Sequence, residues 1–219
     1  MKRVIDTLIV GAAPASGGGD FYHSIISRAT RVIAADAGLA VCLASDRMPD
    51  AVVGDFDSID PALLTRARQS GAEVIAYPAD KDVSDLDLAL AYARSQGLSQ
   101  VAFTAAFSQR LDHTLSALGT LTRSADLEGA AREPSFTCHA LDACTRPTCQ
   151  RELAADTTVS LFTVDGGSTV SVDGVRWPLE EHTLGALSSL GLSNRARGGP
   201  VRVTVHAGSV LFFVMHSDS

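Results

Sequence analysis

The sequence predicts an α/β domain followed by an all-β domain. Through the first part of the chain, short apolar runs alternate with helical patterns, the signature of a parallel sheet covered by helices on both faces. From about Glu133 onward, short β-prone runs and turn sequences take over, as in a small antiparallel sandwich or barrel. Between the two, Leu127-Glu128-Gly129-Ala130 gives way to Arg132-Glu133-Pro134. The expected division is therefore an α/β domain over residues 1–130 and an antiparallel β-sandwich over 131–219.

Each element has its own local signal. Thr7 to Val10 is an apolar run closed by the Gly-rich stretch Gly11 to Gly19, and Phe21 to Ala29 has a helical pattern. Arg31 to Ala35 reads as a strand, Gly38 to Ser45 as a helix and Asp50 to Val53 as a strand. Pro61 suits the first turn of a helix reaching about Ser70, because its missing N–H has no partner there anyway. Glu73 to Ala76 is a strand, and Ser84 to Ser95 a helix that Gly97 ends. Val101 to Thr104 is a strand, after which Leu111, Leu115, Leu118 and Leu121 mark one helical face. In the second half, Thr158 to Val164, Ser168 to Val172, Val201 to His206 and Val210 to Val214 read as strands, with turns at Asp165-Gly166-Gly167 and Ala207-Gly208.

Composition narrows the function classes. With 219 residues, 46% hydrophobic and 20% charged, the chain can bury a core without disulfides or metal. A net charge of −7 argues against a nucleic-acid partner, which calls for a basic face. Nucleotides stay open, because a metal ion can bridge carboxylates to phosphates. The four cysteines, Cys42, Cys138, Cys144 and Cys149, form no C-x-x-C pair, so they read as apolar fillers and surface thiols rather than as a zinc site with His139. Lys2 and Arg3 before an apolar stretch resemble a secretion leader, but Asp6 interrupts the stretch and Val4 to Val10 reads as a buried first strand. No run approaches the roughly 18 apolar residues of a membrane span. The expectation is a cytoplasmic protein with no membrane contact.

Charged residues fall where a parallel sheet binds its ligands, beyond the carboxyl ends of the strands. Asp36 follows one strand, Asp55 and Asp57 the next, Asp82 and Asp85 the loop after the fourth, and Arg110, Asp112 and His113 the fifth. Several have a purely structural alternative. Asp36 suits a helix cap, Asp82 and Asp85 suit an N-cap and its third helical position, and Asp112 suits the helix dipole. Asp55 and Asp57 resist that reading: on an extended chain, positions i and i+2 point the same way. Crowded like charges cost free energy unless a cation neutralises them. A hard cation such as Mg²⁺ takes a few carboxylates plus substrate phosphates. Arg110, at a helix start, and Lys81 suit phosphate oxygens. No G-x-x-x-x-G-K-[ST] or G-x-G-x-x-G loop is present.

Four stretches in order carry a family signature: Ala35-Asp36-Ala37-Gly38, Pro49 to Ser58 with Gly54-Asp55-Phe56-Asp57-Ser58, Asp80 to Asp87, and Arg110-Leu111-Asp112-His113. Together they resemble the thiamine pyrophosphokinase family. Trp177-Pro178-Leu179, Thr183-Leu184 and Ser188 to Asn194 resemble that family's thiamine-binding β domain. The resemblance implies an ATP-binding α/β domain, a thiamine-binding sandwich and a homodimer holding thiamine in a cleft between subunits. It implies transfer of pyrophosphate from ATP to thiamine, giving AMP and thiamine diphosphate. By motif, Asp55, Asp57, Asp82 and Asp85 are the implied Mg²⁺ ligands. Asp36, Lys81, Asp82, Arg110 and His113 are the implied ATP contacts. Asp55, Asp57, Asp85, Arg110 and Asp112 are implied in catalysis, with Asp57 or Asp85 as the proton acceptor. Trp177, Ser189, Ser193 and Asn194 are the implied thiamine contacts. The sequence departs from the family pattern at Ser108-Gln109, where two glycines are usual, at Ala37 for glycine and at Ser84 for threonine. Residues 136–151, with three cysteines, are also unusual for the region. The alternatives are a pterin pyrophosphokinase, a haloacid-dehalogenase-like phosphatase and a non-catalytic nucleotide or thiamine sensor. The second expects its Asp-x-Asp after a first strand, not a third.

Overall fold

The computed structural model describes residues 5–80, 82–108 and 110–216, and its chain divides into two compact units, Met1–Thr120 and Leu121–Ser219. Lys2, Arg3, Lys81 and Gln109 lie outside the described residues.

The first unit alternates β1 (Thr7–Val10), α1 (Gly19–Ser27), β2 (Arg31–Ala35), α2 (Gly38–Ala44), β3 (Ala51–Gly54), α3 (Pro61–Gln69), β4 (Glu73–Ala76), α4 (Asp85–Ser95), β5 (Val101–Thr104) and α5 (Leu111–Thr122). Its strands pair in the order β5-β1-β2-β3-β4, and every pair is parallel. The near-continuous apolar runs of β1, β2 and β3 follow from burial on both faces. On one face Leu8, Val10, Val32, Ala34 and Val52 pack with Tyr22 and Ile26 of α1, Leu39 and Cys42 of α2, and Leu64 and Ala67 of α3. The alternate residues Ile9, Ile33 and Val53 are equally buried, and α4 packs across β1, β2 and β3. The chain leaves β1 for β2 on one side, yet returns from β4 to β5 on the other. Strand order therefore reverses between β1 and β5, the place where open parallel sheets form a ligand crevice.

Capping explains where the helices begin. At α3 the Asp60 carboxylate accepts from Ala62 N–H, with Pro61 next. At α4 the cap is Ser84 rather than Asp82. Its hydroxyl accepts from Asp87 N–H at 3.2 Å and donates to Asp87 Oδ2 at 2.9 Å, so one hydroxyl caps the helix and fixes the Asp87 side chain. The leucine stripe of α5 grades along the helix: Leu121 is fully buried, whereas Leu115 and Leu111 are 49% and 69% exposed.

The second unit contains β6 (Ala130–Glu133), β7 (Phe136–Asp142), β8 (Thr148–Leu153), β9 (Thr158–Phe162), β10 (Ser168–Asp173), β11 (Leu179–Leu184), β12 (Asn194–Arg195), β13 (Gly199–Ala207) and β14 (Ser209–Met215). Two antiparallel layers, β12-β9-β14-β7-β6 and β11-β10-β13-β8, share a core of Leu141, Val159, Leu161, Val170, Val172, Val203, Val205, Val210 and Phe212. The periodic strands near the C-terminus lie where their alternation places them. Strands β6, β7, β8, β11 and β12 are additions to the expectation. β8 reads Thr-Cys-Gln-Arg-Glu-Leu and β11 Leu-Glu-Glu-His-Thr-Leu, polar because one face of each meets water.

The cysteines form no disulfide and do not gather: Cys42, Cys138 and Cys149 are buried and Cys144 is exposed. Burial pushes the Cys42 thiol up to about 12 and raises Cys138 well above its ordinary value. The folded protein is expected to show one fast-reacting thiol with a disulfide reagent at pH 8 and four after denaturation. Cys144→Ser is expected to remove the fast phase; a fast phase that survives this change would contradict the burial of the other three.

Candidate active site

All five strands of the first unit run parallel, so their carboxyl ends share one edge. At that edge the carboxylates of Asp36, Asp55 and Asp57 each offer an oxygen within 4.8 Å of the other two. Asp36 follows β2, and Asp55 and Asp57 follow its neighbour β3. Asp57 is exposed and Asp55 half-buried. Three carboxylates this close, all hard oxygen donors, fit a divalent cation that keeps places for water and phosphate.

Asp36 also builds the loop. Its Oδ1 accepts from Phe56 N–H at 3.2 Å, and its Oδ2 from the Ser58 hydroxyl at 2.8 Å. Asp36 N–H donates to Val53 O at 2.8 Å, stitching the turn to β3. Asp55 Oδ1 accepts from Asp57 N–H at 3.3 Å. Asp36 and Phe56 both have left-handed backbones, with φ of 44° and 64°. Such residues concentrate at functional sites, where surrounding contacts hold them. Gly54 makes room for this arrangement, since a Cβ there would meet Asp36 Cβ at 3.0 Å and Oδ1 at 3.1 Å.

The loops after β1 and β5 close on each other at the reversal point. Gly11 N–H donates to Thr104 O at 2.9 Å, and Ala13 N–H to Ala105 O at 2.7 Å. Tyr22, buried in α1, accepts from Ala15 N–H at 2.8 Å through its hydroxyl and so fixes the Gly-rich loop from below. Nothing in the sequence singles Tyr22 out for this task.

Asp82 and Asp85 lie on this side of the sheet by chain order but outside the three-carboxylate group. Asp82 is exposed in the loop before α4, and Asp85 is half-buried in its first turn. Asp87, their neighbour in the motif, has a structural task. Beyond its bonds with Ser84, its Oδ1 accepts from the buried Thr120 hydroxyl at 2.8 Å, tying α4 to α5. Arg110 and Asp112 form a two-point pair, with Nη2 to Oδ2 at 2.6 Å and Nε to Oδ1 at 3.3 Å. The pair is exposed and therefore easily exchanged for phosphate oxygens. His113 is exposed in the first turn of α5. Ser108, standing where glycine was expected, organises the start of this helix. Its hydroxyl accepts from Arg110 N–H at 3.1 Å, and its carbonyl from the Thr114 hydroxyl at 2.8 Å.

In the second unit, Ser189, Ser193 and Trp177 are exposed and Asn194 half-buried. The Asn194 amide is engaged with backbone: Oδ1 accepts from Trp177 N–H at 3.1 Å and Arg195 N–H at 2.9 Å, and Nδ2 donates to Trp177 O at 2.6 Å. Ser193 has a φ of 57°, and its N–H donates to the Ser160 hydroxyl at 3.0 Å.

Two family models cover most of the chain: the thiamin pyrophosphokinase catalytic domain over residues 22–129, and the thiamin pyrophosphokinase vitamin B1 binding domain over residues 148–210. The chain belongs to the thiamin pyrophosphokinase family. It is thus an ATP-dependent diphosphotransferase with thiamine as acceptor. The catalytic match encloses every acid described above together with Arg110, and the vitamin B1 match encloses Trp177, Ser189, Ser193 and Asn194. The fold is similar to that of the thiamine pyrophosphokinase from Bacillus subtilis, at 19% identity over 97% of this chain and 100% of that one, with a TM-score of 0.78. It is also similar to the thiamin pyrophosphokinase from Geobacillus thermodenitrificans, at 21% identity over 97% and 98%, with a TM-score of 0.76. A eukaryotic example, from Candida albicans, matches at 14% identity over 97% and 90%, with a TM-score of 0.77. No curated protein matches the chain in sequence.

Two outcomes follow from this geometry. Gly54→Ala is expected to displace the Asp36 side chain and lower kcat at least about tenfold with little change in folded content by circular dichroism, since a misplacement of about 1 Å can cost 10²-fold. Unchanged kcat would contradict the close approach. The Arg110 hydrogen bonds hold the Asp112 carboxyl down to about 2. A carboxylate stabilised this way favours the folded state above its unfolded pKa of about 4 and loses that contribution as pH falls toward 2; for so exposed a pair the contribution is small. In Arg110→Gln the Asp112 titration, followed by carboxyl NMR, is expected to rise toward about 4. A midpoint left near 2 would contradict the pairing.

Proposed function

We propose that the chain transfers the terminal diphosphoryl group of ATP to the primary hydroxyl of thiamine at the edge formed by Asp36, Asp55 and Asp57. The observation that carries this reading is the approach of these carboxylates to within 4.8 Å beyond the ends of two adjacent parallel strands. Asp36, Asp55 and Asp57 would hold a Mg²⁺ ion, which supplies charge neutralisation for the phosphates and the acids around them. Asp82, in the loop before α4, and Asp85, in its first turn, face the same nucleotide, and Lys81 remains an ATP contact by motif alone. Arg110 exchanges Asp112 for phosphate oxygens, with His113 beside it.

In the reaction, the thiamine hydroxyl oxygen forms a bond to the β-phosphorus of ATP. The bond from that phosphorus to the α–β bridging oxygen breaks, and AMP departs with the oxygen. Phosphoryl transfer of this kind depends mainly on positioning and electrostatics. The hydroxyl proton passes to a carboxylate oxygen of Asp57. Asp36 and Asp55 are poorer acceptors, because their oxygens already receive hydrogen bonds from Phe56, Ser58 and Asp57. Thiamine docks on the second unit against Trp177, Ser189 and Ser193, with Asn194 shaping the surface through the Trp177 backbone.

The working form is a homodimer in the cytoplasm. Leu187, Leu190 and Leu192 are 62%, 52% and 51% exposed around Ser189 and Ser193, an apolar surface suited to a second copy. Among the described residues, no helix is long and apolar enough to cross a membrane.

The test is AMP release from ATP, with thiamine present or absent. Wild-type protein is expected to release AMP only with Mg²⁺ and thiamine, one AMP per thiamine diphosphate. Asp55→Asn and Asp57→Asn are expected to lower kcat by about 10²-fold or more while the circular dichroism stays native. Wild-type turnover in either variant would overturn the site assignment. Turnover with a pterin alcohol but not thiamine would overturn the substrate, and no turnover with either would overturn catalysis itself.

A further inference from the structure

The loop from β5 to α5 departs from the family pattern at the two residues before Arg110. Two glycines are usual there, and glycine serves a left-handed turn or a close approach of backbone. Here Ser108 and Gln109 stand instead. Among the described residues, the left-handed backbone of this loop falls on Ala105, with φ of 50°, and not on Ser108. Serine is therefore unstrained at 108, and its side chain takes on a task for which glycine has no atoms.

That task is to hold Arg110. The Ser108 hydroxyl accepts from Arg110 N–H at 3.1 Å and donates to Arg110 O at 3.2 Å, so one oxygen engages both polar groups of the Arg110 backbone. The helix closes the arrangement from its other side. Thr114 N–H donates to Arg110 O at 3.0 Å, and the Thr114 hydroxyl donates to Ser108 O at 2.8 Å. From this held backbone the Arg110 guanidinium reaches Asp112 with two nitrogens, at 2.6 Å and 3.3 Å, although the two side chains are 67% and 66% exposed. A long side chain in water loses rotamer freedom when it is ordered. Ordering it before the ligand arrives moves that cost from binding to folding.

We propose that Ser108 is a positioning residue for the nucleotide: its hydroxyl latches the Arg110 backbone, so that the guanidinium fork is already aimed where phosphate oxygens replace the Asp112 carboxylate. This role rests on Arg110 being a phosphate contact and adds the residue that orients it. A carboxylate and a phosphate offer the fork the same paired oxygens, so the Asp112 pair keeps in the free protein the shape that phosphate takes up. Glycine at 108 leaves the same turn to be ordered by the nucleotide itself. The latch reaches the nucleotide only through Arg110, so its loss is felt as weaker nucleotide binding rather than as slower transfer.

The test is calorimetric titration of the full-length protein, in Mg²⁺, with the α,β-methylene analogue of ATP. Its α–β bridge cannot be cleaved to release AMP, so it reads binding without turnover. Ser108→Ala is expected to raise the dissociation constant and the KM for ATP about three- to tenfold, the effect of having to order one long side chain on binding. Its kcat and its KM for thiamine are expected to stay within about twofold of wild type. Ser108→Thr, which keeps the hydroxyl, is expected to bind like wild type. Ser108→Gly is expected to bind like Ser108→Ala and replaces it in the test should alanine fold poorly by circular dichroism. In an Arg110→Gln background, Ser108→Ala is expected to add nothing. The same loss with and without Arg110, or a loss in Ser108→Thr equal to that in Ser108→Ala, would overturn the latch. Wild-type binding by both Ser108→Ala and Ser108→Gly beside weak binding by Arg110→Gln would overturn it while leaving Arg110 a phosphate contact. Wild-type binding by Arg110→Gln would overturn the phosphate contact itself, and the latch with it.

Discussion

Two left-handed turns, at Asp36 and Phe56, are bridged by one carboxylate. A left-handed backbone costs an ordinary residue about 1–2 kcal/mol. Hydrogen bonds to a charged group contribute about 1.5–3 kcal/mol each, and Asp36 accepts two, from Phe56 N–H and the Ser58 hydroxyl. Those bonds exceed the strain, so the loop after β3 is set by a side chain from the loop after β2. The position of Asp55 and Asp57 follows from that. Asp36 is therefore both a member of the carboxylate group and the reason the group exists.

The sheet supplies the rest of the frame. A parallel order of β5-β1-β2-β3-β4 aligns all carboxyl ends and reverses direction between β1 and β5. The loops there are fastened by backbone bonds from Gly11 and Ala13 and by the Tyr22 hydroxyl. Beyond the reversal point, Ser84 and Asp87 fix the start of α4, and Ser108 fixes the start of α5. Rigid supports around a mobile ligand are what a reaction governed by positioning requires.

Much of the first unit was legible in the sequence because its strands are buried on both faces and its helices carry clear start signals. The acids were legible as a set because each follows a strand. Which of them meet was not legible. Asp36 joins Asp55 and Asp57 through contacts twenty residues apart in the chain, and strand-end reasoning gives no ranking among Asp36, Asp82 and Asp85. Asp87 looked like another motif acid until its capping and its bond to Thr120 appeared; Ser84 held the matching signal, a hydroxyl three residues before an acid. In the second unit β8 and β11 escaped notice because their solvent-facing side chains dilute the apolar pattern. Asn194 was legible as a polar residue in the right region, but its use as a backbone clamp depends on a segment seventeen residues away.

The Asp87–Thr120 bond has a mechanical consequence. Because it joins the first turn of α4 to α5, neither helix can shift along the other without stretching a bond to a buried hydroxyl. A tether of this kind ties together two elements that follow separate strands, β4 and β5, by a path that does not run through the sheet.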